Sequence, residues 1–286
     1  MHGKRVWHSH AAAWLCLDSE TRKGPFMTTE TTSPIVEQYR ENGYCAVPPV
    51  ADADTIATVI DHMDAVVDGQ YETGRPPHFV HFSPEDAPEK IRKVDQPHLC
   101  DDTILGFIIR PEIGRWAAAL TGAKMVQMFA VQLLIKPPGG KAYGHVGWHQ
   151  DKMYWPYWEG TEGLLTAWIA LSDVTLNSGP ISFVRGSHRW GMCEGGDFFE
   201  TDHATQRRRL KVPEGQRWEE EALPLAPGAV SFHHCLTFHA SGPNLEPYPR
   251  RSFALHLRTE RAKVARHEYY TQHLDDPVHA PIIYQE

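Results

Sequence analysis

Lys124-Met125-Val126-Gln127-Met128-Phe129-Ala130-Val131-Gln132-Leu133-Leu134-Ile135-Lys136 is the run at which this 286-residue chain changes texture. Val, Met, Leu, Ile and Phe crowd it without a glycine or proline, so it reads as a β-strand. Runs of the same kind recur at Leu164 to Leu171, Ile181 to Val184, Ala229 to His234 and Ser252 to Leu257, separated by Gly, Pro and Asn. Upstream the pattern is helical. Pro34 opens a helix over Ile35 to Asn42, stopped by Gly43, and a strand over Tyr44 to Val47 follows. Ile56, Val59, Ile60, Met63, Val66 and Val67 then fall at helical spacing from an Asp52 or Asp54 cap to Gly69. Two further helices are expected over Asp102 to Ile109 and Pro111 to Leu120. Residues 70–100, with five prolines, read as a long irregular connection, which is often functional when it occurs inside a domain. Strands with no helices between them cannot form parallel βαβ units, so the expected fold is mainly β: an antiparallel jelly roll covered by N-terminal helices.

Domain organisation follows from the same texture. Residues 31–286 are expected as one domain, large enough to bury roughly 70–75 % of the surface its unfolded chain exposes. Met27 is followed by the polar stretch Thr28 to Ser33, like an ordinary protein start, so residues 1–30 are expected as a disordered or mis-annotated extension. Met192 to Pro227 is a long polar insertion carrying Arg207, Arg208, Arg209 and Lys211, then Glu219, Glu220 and Glu221. It is expected as a solvated face, or as a lid.

Composition excludes several functions. A formal charge of −8 lacks the basic surplus of a nucleic-acid binder. Five widely spaced cysteines without a CxxC fit neither a disulfide framework nor a zinc knuckle, which makes a reducing cytoplasm the expected compartment. No stretch approaches the ~20 apolar residues of a membrane span. The expected partner is a small-molecule substrate, with neither nucleic acid nor membrane, on a monomer or homodimer.

What composition singles out is histidine, 18 in number. A His and an Asp two residues apart can share a metal if they lie on a strand, where i and i+2 face the same side. Chance predicts about one such pair for this composition, and there are three: His62/Asp64, His149/Asp151 and His273/Asp275. Inside a helix the first pair would diverge by about 200°, which makes it a surface pair. The third lies near the C-terminus, with His279 as the one histidine after it. His149 and Asp151, in Gly147-Trp148-His149-Gln150-Asp151, follow the Gly/Pro-rich turn Pro137 to Gly140 in the strand-rich half. Two histidines and one carboxylate on a metal with open positions are the usual signature of non-haem Fe(II) oxygenases. His233, His234, His239 and His256 are candidates for the second histidine, and periodicity does not separate them.

The chain resembles the phytanoyl-CoA dioxygenase family of Fe(II)- and 2-oxoglutarate-dependent oxygenases over roughly Tyr39 to Leu257. The carriers, in order, are NGY at Asn42 to Tyr44, KPPG at Lys136 to Gly139, WHQD at Trp148 to Asp151, AWIALSD at Ala167 to Asp173, GSH at Gly186 to His188, PG at Pro227 to Gly228, HASGPN at His239 to Asn244, and Arg250. The resemblance implies a cupin-like double-stranded β-helix and iron ligands at His149, Asp151 and His239; His233 matches a family histidine that is not a ligand. It implies that Arg250, eleven residues after His239, binds the far carboxylate of 2-oxoglutarate, for which the planar guanidinium fork is suited. Arg251 would face the other side of that strand. Ser241, Trp168 and Gln132 are expected around the same cosubstrate, and Tyr154 and Trp155 against the substrate, beside Tyr157 and Trp158. The implied activity is hydroxylation of an unactivated C–H of a lipid-like or secondary-metabolite substrate, with O2 consumed and succinate and CO2 released. Asp151 favours hydroxylation, because related halogenating enzymes carry a small residue there. Desaturation or epimerisation by the same machinery, and a non-catalytic metal-binding jelly roll, are the alternatives.

Overall fold

The computed structural model describes residues 33–139 and 144–286. The expectation for residues 1–30 therefore falls outside the described residues. The first helix, α1 (Pro34–Asn42), has Pro34 at its start and ends at Gly43, whose φ of 83° is the left-handed conformation that glycine adopts without a Cβ clash. Strand β1 (Tyr44–Val47) leads to α2 (Ala53–Val67), where the Asp52 carboxylate accepts from the Thr55 N–H at 2.8 Å. Short strands β2 (Phe79–Val80) and β3 (Arg92–Asp95) precede α3 (Asp102–Ile108) and α4 (Pro111–Thr121). The strand-rich half comprises β4 (Met125–Lys136), β5 (Val146–His149), β6 (Trp158–Glu159), β7 (Leu164–Ala170) and β8 (Ile181–Val184). It continues, after α5 (His203–Arg209), with β9 (Glu220–Leu223), β10 (Val230–His234), β11 (His239–Ser241), β12 (Arg250–Thr259), β13 (Lys263–Val264), α6 (Tyr269–Gln272) and β14 (Ile282–Gln285).

Two antiparallel sheets make the jelly roll. The larger runs β1-β10-β7-β12-β4-β3-β2, with β14 also paired to β4, and the smaller runs β5-β11-β8-β9. Strand alternation gives the large sheet two apolar faces. Val131, Leu133 and Ile135 of β4 share a core with Leu165, Phe232, Phe253 and the inward faces of α2, α3 and α4. Leu134, Trp168, Ala170 and Ala254 point the other way and meet Ile181 and Phe183 of the small sheet. Each large side chain so buried contributes about 1.5–3 kcal/mol. The helices thus cover one face, and the other encloses the interior of the roll.

One expectation needs correction and another needs extending. Residues 70–100 are not wholly irregular: β3 pairs with β4, Lys93 opposite Leu134 and Asp95 opposite Gln132. Gln96, at a φ of 59°, then locks to Val131 by a backbone bond and a side-chain bond, both 2.8 Å. Arg92-Lys93-Val94-Asp95 carries too little apolar alternation to betray a strand. The charged runs of 192–227 are largely exposed as expected, Arg208, Arg209, Lys211, Glu219 and Glu220 among them, but the insertion is not all surface. It holds α5 and β9, and the Gln206 amide bonds both the N–H and the carbonyl of Trp148, at 2.7 and 2.8 Å. Arg207 stacks on Trp218 at 4.2 Å, and Trp218 packs edge-on against Trp148.

Buried histidines make the fold acid-sensitive. His98 is 1 % exposed, and burial pushes its pKa down to about 4; His234 is likewise pushed to about 4, by burial and then by His188 and His233 nearby. The unfolded chain takes up these protons near pH 6.5, the folded one near pH 4, so stability falls as pH drops through that window. The urea midpoint is expected to be lower at pH 5 than at pH 7, with a smaller drop in His98→Gln; an equal drop in that variant contradicts the assignment.

Candidate metal centre

His149 is the last residue of β5, Gln150 is extended (φ −114°, ψ 129°), and Asp151 opens a 3-10 turn over Asp151–Tyr154. Asp151 is therefore not itself on a strand, but the extended residue between them still turns both side chains to one side. β11 runs antiparallel to β5 with His239 opposite His149. Nε2 of His149 and Nε2 of His239 each lie 3.6 Å from Oδ1 of Asp151, and the three ligand atoms are within 4.8 Å of one another. All three residues are buried.

Hydrogen bonds set the chemistry of this group. Nδ1 of His149 is 2.8 Å from the Gly147 carbonyl, and Nδ1 of His239 is 3.0 Å from that of Thr237. A carbonyl only accepts, so each Nδ1 carries a hydrogen, and the neutral tautomer with that hydrogen has its lone pair at Nε2, on the side of the carboxylate. Burial, with His149 and His233 close by, holds His239 well below the ordinary histidine range, in this neutral form. Burial opposes the charge on Asp151, yet the surrounding His239, His149 and His233 imidazoles keep its carboxyl well below the usual range. Its other oxygen, Oδ2, accepts from the Thr166 hydroxyl at 2.6 Å and from Nε2 of His233 at 3.0 Å. Thr166 in turn accepts from Nδ1 of His256 at 3.0 Å. Oδ1 and the two Nε2 atoms are left converging on one point. A divalent cation fits that donor set.

The remaining histidines take other places. His233 reaches only Oδ2, and His256 stands behind Thr166. His234, on the opposite face of β10, accepts from the Leu236 N–H at 3.1 Å. His62, expected as a surface residue, is instead half-buried, its Nδ1 2.7 Å from Oδ2 of the α3 cap Asp101, while Asp64 faces Arg251. Glu72 completes a second group of possible metal ligands there, but Asp101 and Glu72 already accept hydrogen bonds from His62, Ile104 and Asp102. His273 stacks on His279, 4.5 Å between ring centres, away from any metal-capable group among the described residues.

One cavity joins the convergent triad to Gln132, Trp168, Ser241 and Arg250. Arg250 is 2 % exposed; it donates to the Gly179 carbonyl at 2.6 Å, its guanidinium carbon lies 5.0 Å from the Trp168 ring centre, and its Nε has no partner. Arg251 points outward and grips Asp64 at 2.9 and 2.6 Å. Tyr154 lies 5.9 Å from the His149 ring, its hydroxyl accepting from the Phe198 N–H. Trp155, expected beside it as a substrate contact, is 4 % exposed in an aromatic core with Phe129, Tyr157 and Trp158 and is spent on packing.

A family model for phytanoyl-CoA dioxygenase (PhyH) matches residues 39–252, from α1 into β12 and across His149, Asp151, His239 and Arg250. The chain belongs to the phytanoyl-CoA dioxygenase family. A probable alpha-ketoglutarate-dependent hypophosphite dioxygenase of Stutzerimonas stutzeri is 25 % identical over 228 residues, 75 % of this chain and 74 % of its own. The human peroxisomal phytanoyl-CoA dioxygenase is 24 % identical over 161 residues, 55 % of this chain and 46 % of the human one. Among solved structures, the epimerase SnoN in complex with Fe3+, alpha ketoglutarate and nogalamycin RO superimposes with a TM-score of 0.64 at 25 % identity, over 81 % of this chain and 85 % of SnoN. This member of the phytanoyl-CoA dioxygenase family is accordingly a non-haem iron dioxygenase that depends on 2-oxoglutarate and O2.

Sequence reasoning missed three residues of its site. Lys136 and Thr166 line the cavity from β4 and β7, and Phe198 closes it with its ring 5.1 Å from that of His149. Lys136 shares strand parity with Gln132 and was legible in that sense. Phe198 was not: residues 197–198 run beside Gly147–Trp148, bonded Gly147 N–H to Phe198 carbonyl at 2.9 Å and Asp197 N–H to Trp148 carbonyl at 3.0 Å. A Cβ on Gly147 would sit 2.1 Å from the Asp197 carbonyl, so glycine alone permits this approach.

Proposed function

We propose that the protein hydroxylates an unactivated C–H bond of a small organic substrate, lipid-like or a secondary metabolite, with His149, Asp151 and His239 as the iron ligands. The observation that carries this reading is the convergence of two Nε2 lone pairs and one carboxylate oxygen in a buried site. When bound, the iron and 2-oxoglutarate supply the oxygen-activating chemistry that yields succinate, CO2 and oxidised substrate.

The protein's share is placement and exclusion. Thr166 and His233 occupy Oδ2 of Asp151, which orients Oδ1 and fixes the carboxylate. Arg250 and Ser241 anchor the far carboxylate of 2-oxoglutarate, Trp168 flanks it, and Gln132 reaches it from β4. Phe198 and Tyr154 cover the metal side and keep water from it, so the 192–227 insertion acts as a lid. A carboxylate at 151 leaves no ligand position for a halide, which favours hydroxylation. The likeness to SnoN supports a second outcome, epimerisation, on the same machinery. Among the described residues no helix is long and apolar enough to cross a membrane. The cysteines described are free, which suits a reducing cytoplasm.

Anaerobic addition of Fe(II) and 2-oxoglutarate is expected to produce a weak visible charge-transfer band, and admission of O2 to release succinate, faster with a true substrate. No band together with no succinate refutes the reading and leaves a metal-binding jelly roll.

A further inference from the structure

Two cations are buried side by side at one end of the cavity. Lys136 is 1 % exposed and Arg250 2 %, and their backbones pair directly across β4 and β12. Among the described residues neither has a carboxylate partner; each instead donates to backbone carbonyls, Arg250 to Gly179 and Lys136 to Ser241 and Gly242. Burial, and then the neighbouring Arg250, push the Lys136 ammonium well below its ordinary range, so its charge is disfavoured while no anion is present and an anionic ligand is what restores it.

The ammonium has three hydrogens, and three acceptors take them: the Ser241 carbonyl at 3.2 Å, the Ser241 hydroxyl oxygen at 2.6 Å and the Gly242 carbonyl at 2.6 Å. Lys136 thus has nothing left to offer a ligand directly. A lysine can only donate, so the Ser241 oxygen is the acceptor and its own hydrogen is free. Ser241 lines the cavity beside Arg250.

We propose that Lys136 is a positioning residue of the cosubstrate pocket: it pins Ser241 so that the serine hydroxyl must donate into the cavity, and with Arg250 it gives that end a double positive charge selective for a carboxylate. This rests on Arg250 as the anchor of the far carboxylate. The three acceptors around Nζ match the three hydrogens of an ammonium, so the geometry is built for the charged lysine that a bound carboxylate would stabilise.

The test is equilibrium binding of 2-oxoglutarate to the Fe(II)-loaded full chain under anaerobic conditions, followed by calorimetry. Lys136→Met is expected to weaken binding about 10–100-fold, the range for one lost charge-assisted hydrogen bond. Binding of 2-oxobutyrate, which has no far carboxylate, is expected to be unchanged. Because Lys136 acts through Ser241, Ser241→Ala added to Lys136→Met is expected to cost little more than Lys136→Met alone. Wild-type affinity in Lys136→Met, fully additive losses in the double variant, or an equal loss for 2-oxobutyrate each overturns the proposal. If Lys136→Met does not fold, Lys136→Gln is titrated instead; it keeps two donors but no charge, and wild-type affinity there overturns the double-charge argument. Should Arg250→Ala also bind 2-oxoglutarate normally, it is the underlying reading of Arg250 that fails; normal binding in the lysine variant alone rejects only the role of Lys136.

Discussion

Asp151→Ala is expected to abolish activity, with succinate release lower by at least about a thousandfold. Without the Asp151 side chain, two imidazoles are left to hold the cation, and the triad has no carboxylate of its own to offset the charge. The Oδ1 atom that meets both Nε2 atoms at 3.6 Å is gone, and so is the acceptor for Thr166 and His233. The fold should survive, because the exchange removes a buried charge and leaves the sheet ladder intact. Asp151→Asn keeps the shape and is expected to fail in the same way, since the missing element is charge. Anaerobic iron titration and succinate assay check both variants. Wild-type turnover in either one excludes residue 151 as a ligand.

Arg250→Ala is expected to weaken 2-oxoglutarate binding by about 2–5 kcal/mol, the cost of stripping one partner from a buried, hydrogen-bonded charge pair. That is a factor of tens to thousands in KM for the cosubstrate. Turnover at saturation is expected to change less, because the lost interaction is common to ground and transition states. Arg251→Ala is the control. It breaks a half-buried pair with Asp64 on the opposite face and is expected to leave the cosubstrate KM unchanged. Equal effects of the two substitutions would contradict the facing of this strand.

The fold was legible because its rules are local. Gly43, Asp52 and Pro111 mark helix ends by backbone conformation, side-chain capping and a fixed φ, and the structure has those ends where they were expected. The strands that went unseen, β3, β9 and β11 among them, have four residues or fewer. Their pairing energy comes from the neighbouring strand, and no apolar rhythm of their own announces it. The aromatic group after Asp151 was half-read: Tyr154 stands by the metal side, whereas Trp155 turns into the core. Adjacent residues in a 3-10 turn diverge, and which one meets solvent depends on what packs above.

The amino-acid order alone determined the run of helices followed by strands, the antiparallel roll and the separation of Arg250 from Arg251 by alternation. It also determined the pairing of His149 with Asp151, two residues apart. Periodicity left His233, His234, His239 and His256 open and family resemblance pointed to His239; only the tertiary structure shows His239 meeting the pair while His233 stops at the far carboxylate oxygen, and Phe198 closing the same cavity. The physical reason is register. Residues ninety positions apart become neighbours through hydrogen bonds between β5 and β11, and no periodicity within either segment encodes which pair will align.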